Sequence, residues 1–223
     1  SGIRWDEGNL RRKWRLNTAE LPLPQRIDGV TIGTYDLNGD GIVTVDDYSV
    51  DPRVDLAAGQ DDADGMLEPS DLIATFSDGI DGDGNGYVDD ICGWDFLWND
   101  NDPFDDTESQ GYSHGTIQLR RSGAEGDDGG SIGACPNCSV MMLRIGDSFI
   151  SETSAYSQAI IYAVDMGMKV LQVEIGGLNA SSLARDAFEY AWANGVTLIA
   201  SAADEASILS LIHISEPTRL RRI

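Results

Sequence analysis

Apolar positions in the last third of the chain fall into two successive strand-and-helix cycles. An apolar run from Ser139 to Ile145 reads as a strand, and Ser154 to Met166 places Ala155, Ala159, Ile160, Ala163 and Val164 at helical spacing. Val170 to Ile175 is the next strand candidate. Ser181 to Ala193 repeats the helical stripe through Leu183, Ala187, Phe188, Ala191 and Trp192, and Val196 to Ala202 closes the second cycle as a strand. Gly167 and Gly195 follow the two helices where a chain turns out of its last helical turn. Strands alternating with helices of this length predict an α/β fold on a parallel sheet, with functional residues at the carboxyl ends of the strands. Between about Asp36 and Asp106 this rhythm is missing. Short segments there alternate with turns rich in Asp, Asn and Gly, the pattern of an insertion or an elaborated loop.

Charge sharpens that contrast. The 223 residues carry 38 Asp and Glu against 15 Lys and Arg, a formal charge of -23, which argues against nucleic acid or an anionic membrane as partner and for cations. No apolar run approaches the roughly 20 residues that span a bilayer, and residues 1 to 25 lack the charged start and apolar middle of a signal peptide. The acids are placed, moreover, at ligand spacing. Asp36, Asn38, Asp40, Gly41 and Asp47 occupy positions 1, 3, 5, 6 and 12 of an EF-hand-like loop, with Ile42 offering its carbonyl. Alternate residues of a tight turn aim oxygens at one centre, and the glycine permits the bend. A weaker copy runs from Gln60 through Asp62, Asp64, Gly65, Leu67 and Glu68 to Asp71. The third, DGDGNGYVDD, offers Asp81, Asp83, Asn85, the Tyr87 carbonyl and Asp89 or Asp90, with no acid at position 12. These loops predict bound Ca2+.

The segment GNGYVDDICGWDFLWNDNDPFDD followed by SHGT resembles the approach to the catalytic histidine in subtilisin-like serine proteases. GACPNCSVMMLRIGD is similar to that family's turn and core strand, KVLQVEIGG to its substrate-binding strand, and GVTLIASAADE to the strand ending at its oxyanion-hole residue. SGIRW resembles the stretch just after the catalytic aspartate. The resemblance implies a parallel-sheet, three-layer α/β fold, incomplete here, and a peptidase domain over residues 1–208. Within it, 36–106 would be the acidic calcium-loop insertion and 113–208 the α/β core. The family orders its triad Asp, His, Ser, so the resemblance supplies His114 as general base and implies that this polypeptide is inactive by itself. Glu174, Ile175, Gly176 and Gly177 correspond to the edge that pairs with a polypeptide substrate. Asp204 stands where most of the family has an oxyanion-binding Asn. Ile117 to Arg121, IQLRR, replaces the small residues usual on the histidine helix, so Gln118, Arg120 and Arg121 require an exposed face.

The expected parent is thus a secreted or cell-surface, calcium-stabilised serine endopeptidase acting on polypeptides. Its rival is a noncatalytic calcium-binding or adhesion module with a degenerate core of the same kind. Cys135 and Cys138 form a C-x-x-C that allows a tight disulfide, a redox pair or half a metal site; a zinc site would need two more ligands, so a structural pair or free thiols is the expectation, and with Cys92 they are too few for a disulfide framework. LSLIHISEPTR resembles a translated sequencing adapter, so residues 209–223 are expected to be a non-native tail and His213 is set aside with them.

Overall fold

The computed structural model describes residue 10 and residues 12–59, 65–104, 114–126, 130–147, 150–174 and 181–200. The chain divides into two compact units, residues 1–150 and 151–223.

The second unit follows its hydrophobic pattern closely. Helix α3 spans Thr153–Asp165, strand β5 Val170–Val173, helix α4 Ser182–Ala193 and strand β6 Thr197–Ala200. β5 and β6 pair in parallel, with Val170 opposite Thr197 and Val173 opposite Ala200. The apolar stripes of the helices meet in a small core of Ile160, Val164, Ala187, Ala191 and Val196, sealed by an edge-on Tyr156–Phe188 contact at 5.5 Å. Ser181 caps α4 by accepting from the Ala184 amide, and Gly167 and Gly195 leave the helices at φ 76° and 74°. The sequence therefore marked both helix ends to within a residue.

The first unit has far less regular structure. Its elements are α1 (Pro69–Phe76), β1 (Trp94–Asp95), α2 (His114–Gly123), β2 (Leu143–Arg144), β3 (Gly146–Asp147) and β4 (Ile150–Ser151), the last running into the second unit. A 3-10 turn covers Val45–Tyr48. β1 and β2 pair in parallel, Trp94 opposite Leu143 and Asp95 opposite Arg144, and the buried Asp95 and Arg144 side chains meet at 3.0 Å. The expected strand 139–145 is thus only partly regular, touching Trp14 through a bridge at Val140 before forming β2. The core beneath gathers Leu10, Trp14, Tyr48, Leu72, Ile91 and Met142 from segments far apart in sequence. Gly93 joins core to sheet at φ 98°, where any Cβ would run into the Met142 carbonyl.

One ion pair clamps three segments of this unit. Arg53 donates from Nε and Nη2 to the Asp51 carboxylate at 2.9 and 2.6 Å, and from Nη2 to the Leu23 carbonyl at 2.8 Å. Its guanidinium also lies 5.0 Å from the Phe76 ring centroid. Burial works to raise the Asp51 pKa, but the bonds from Arg53 and from the Arg53 and Gln25 amides outweigh it and hold the carboxyl below its ordinary 3.8. A lowered folded-state pKa stabilises above the unfolded value and is lost as pH falls through the folded one. Asp51→Asn should therefore cost roughly 2 kcal/mol near neutral pH. In urea unfolding over a pH series, the gap to the parent chain should narrow below the ordinary value of 3.8; a gap independent of pH would show that the charge is irrelevant.

Candidate functional site

The two acidic loops at 36–47 and 81–90 are built by one hydrogen-bond scheme, displaced by 45 positions. Asp36 accepts the amides of Gly39, Asp40 and Gly41 at 2.8, 3.1 and 3.0 Å. Asp81 accepts those of Gly84, Asn85 and Gly86 at 2.7, 3.1 and 2.8 Å. Asn38 and Asp40 accept from the amides two residues on, as do Asp83 and Asn85. Each first acid thereby winds the chain around itself, and the bends fall at glycines with positive φ, Gly39 and Gly41 in one loop and Gly84 and Gly86 in the other.

The loops differ in what closes them. In the first, Asp47, fully buried, accepts from Leu37 and Asn38 at 2.8 and 3.2 Å with Oδ1 and from Thr44 at 2.9 Å with Oδ2. The position equivalent to Asp47 in the later loop is Cys92, a buried free thiol that bonds the Arg15 carbonyl instead. Its place is taken by Glu20, 8% exposed, which accepts from Gly82 and Asp83 at 2.7 and 3.1 Å with Oε1 and from Asp89 at 3.2 Å with Oε2. These are the three amides that correspond to Leu37, Asn38 and Thr44. Glu20, Asp81 and Asp83 each bring one carboxylate oxygen within 4.8 Å of the others. Beside them the Asn17 amide bridges Asp83 and Asp90 at 3.0 and 2.7 Å, and Asn85 bonds Asp90 at 2.9 Å.

Glu20 and Asn17 carry no motif of their own, and sequence reasoning missed them. The signal available was the gap itself, a loop complete to its sixth position with a thiol at its twelfth. Burial raises the pKa of both Glu20 and Asp47 despite the amides they accept, and Asp83 and Asp36 add like charge in the respective loops. Each closing carboxylate thus sits where negative charge is disfavoured and a cation would relieve it. An all-oxygen set of carboxylates, amide oxygens and loop carbonyls is the donor chemistry of a hard cation such as calcium.

Two expected ligands turn elsewhere. Asp71 accepts from the amides of Gly59 and Glu68 at 3.2 and 2.8 Å, capping the start of α1. Asp89, at φ 58°, spends both oxygens on the amides of Asp78 and Gly79 at 2.9 Å each, so it braces the preceding turn while Asp90 faces Asn85. Ile42 is exposed, and Tyr87 packs edge-on against Trp94 and Phe96. Asp62 and Asp64 of the middle loop lie outside the described residues, as do Ile175, Gly176, Gly177 and Asp204. Glu174 follows β5, half-buried, and accepts from the Gln172 side-chain Nε2 at 2.9 Å.

His114 is the first residue of α2 and its ring is exposed, 3.2 Å from the Gln118 Nε2 one turn along. Arg120 and Arg121 are exposed as well, as expected of them, whereas Gln118 is half-buried. The buried side of the helix uses Thr116 and Gly123, with Leu119 half-buried against the core.

No family model matches this chain. Among curated proteins it is 33% identical over 116 residues to thermitase of Thermoactinomyces vulgaris, covering 51% of this chain and 40% of thermitase. It is 34% identical over 140 residues to the thermophilic serine proteinase of Bacillus sp. (strain AK1), covering 60% and 33% of the two. With fervidolysin of Fervidobacterium pennivorans it shares 29% over 147 residues, 61% of this chain and 21% of fervidolysin. The chain therefore spans no more than two fifths of the length of these three relatives.

An exposed histidine with one long contact to its own helix does little for stability. His114→Ala should leave the unfolding free energy within about 0.5 kcal/mol of the parent. A loss above about 1 kcal/mol in denaturant titration would make His114 a structural residue.

Proposed function

This chain is related over part of its length to the subtilisin-family serine proteases, and from that premise we propose that it is the histidine-bearing portion of a calcium-stabilised serine endopeptidase. The observation that carries the reading is His114, exposed at the head of α2 and downstream in sequence of strand β1 (Trp94–Asp95), which is paired with β2. In that role its imidazole takes the proton of an attacking serine hydroxyl and returns it to the leaving amine. In this reading an aspartate that fixes the imidazole tautomer and the attacking serine are the other members of the triad, and His114 without them would not carry out acyl transfer. Glu174 to Gly177 would pair with the substrate backbone as an added strand. Asp204, at the oxyanion position, would assist only when protonated or when other donors face the developing charge.

The same reading assigns calcium to both acidic loops. Asp36, Asn38, Asp40, the Ile42 carbonyl and Asp47 would hold one ion. Asp81, Asp83, Asn85, the Tyr87 carbonyl and Glu20 would hold the second, with Asp90 alongside. Bound calcium supplies positive charge at two carboxylate clusters and so ties Glu20, near the start of the chain, to the loop before the histidine helix. Secretion or display at a cell surface suits the Cys135–Cys138 disulfide, since such bonds persist in oxidising compartments. No helix among the described residues is long and apolar enough to cross a membrane.

Two experiments test this. Calcium titration of the chain by calorimetry should show two binding events and a rise in Tm that chelator reverses. Glu20→Gln should weaken one event at least about tenfold, and Asp40→Asn the other; an unchanged titration with Glu20→Gln would remove Glu20 from the site. Extending the chain with its natural flanking segments should give a protein labelled by a fluorophosphonate, and His114→Ala should abolish the labelling. A folded, calcium-binding protein that never labels would instead be the noncatalytic module.

A further inference from the structure

The far end of the histidine helix is held by a segment that the proteolytic reading does not use. A helix leaves its last carbonyls without intrahelical donors, and at the end of α2 the donors come from downstream. The amides of Ala134, Cys135 and Gly133 bond the carbonyls of Arg121, Ser122 and Ala124 at 3.0, 2.7 and 3.0 Å. Gly133 lies so close that a Cβ there would sit 2.5 Å from the Ala124 nitrogen. The capping segment runs directly into a four-residue turn, Cys135 to Cys138, closed by a disulfide and by the Cys138 amide on the Cys135 carbonyl at 3.1 Å. On its other side the turn is tied to the early chain. Lys13, mostly buried, donates from Nζ to the Pro136 carbonyl, and the Val140 amide bonds the Lys13 carbonyl at 2.6 Å.

Both half-cystines are exposed, while Cys92 is buried and its thiol is pushed far up by desolvation. We infer that the Cys135–Cys138 disulfide is a reversible modification site for dithiol reductants, and that its state sets how firmly the end of the His114 helix is capped. A thiolate of the reductant attacks one sulfur, the protein disulfide breaks and the other cysteine leaves as thiolate. The second thiol of the reductant then attacks the mixed disulfide. The products are two protein thiols and the oxidised, cyclic reductant, so electrons and protons balance. Without its cross-link the turn keeps one internal hydrogen bond, and Cys135, itself a capping donor, gains conformational freedom. The helix then frays from the end opposite His114.

The inference is independent of proteolysis and is tested on the chain as it stands. After treatment with dithiothreitol under native conditions, alkylation and mass spectrometry should find Cys135 and Cys138 modified and Cys92 protected. Hydrogen exchange at the amides of Gly133, Ala134 and Cys135 should rise on the order of tenfold, the equivalent of losing about one backbone hydrogen bond's net stabilisation. The α3 amides should not change. The double variant Cys135→Ser, Cys138→Ser should show the fast exchange with or without reductant. A disulfide that resists reduction until the chain unfolds, or one that is reduced with no change at the helix end, overturns the inference. So does slow exchange in the double variant.

Discussion

Carboxylates turned inward onto backbone amides are what the first unit depends on. Asp47, Asp71, Asp90 and Asp95 rank among the most completely buried side chains; Asp47, Asp71 and Asp95 accept backbone amides of nearby residues, and Asp90 accepts the side-chain amides of Asn17 and Asn85. An aspartate accepting two or three amides does for an irregular segment what a helix or sheet ladder does elsewhere, satisfying donors that would otherwise be stranded. That is why a unit with helices of eight and ten residues and strands of two can still enclose Trp14, Leu72 and Ile91. Desolvation sets the limit of the strategy. At Glu20 and Asp47 burial outruns the amides, leaving negative charge that hydrogen bonding alone does not settle.

The second unit is organised by apolar periodicity, and here the sequence was most legible. The stripes of α3 and α4 and the glycines after them led to element boundaries within one or two residues, because local spacing decides both helix face and helix end. The parallel pairing of β5 with β6 followed from the strand-helix-strand order.

In the first unit legibility stopped where partners are distant. The loops at Asp36 and Asp81 could be recognised because their acids and glycines are contiguous. Glu20 could not, since the amides it accepts lie 62 to 69 residues downstream. Asp71 was ambiguous for another reason. An acid three residues into a helix serves as a capping group and also falls at the last position of an EF-hand-like loop, so one spacing fits two roles. Asp89 and Asp90 differ by the left-handed backbone at Asp89, which sends neighbouring carboxylates in different directions.

The substitution of Glu20 for a local twelfth residue has a consequence in time. A loop closed by Asp47 brings together residues eleven apart or fewer and can organise before the rest of the chain has found its place. The loop closed by Glu20 must wait for two segments more than sixty residues apart to meet, a slower event because closure of a long span precedes any contact that rewards it. Two loops with one hydrogen-bond scheme therefore belong to different stages of folding. The earlier can act as a nucleus, whereas the later records that the chain start and the approach to α2 have docked.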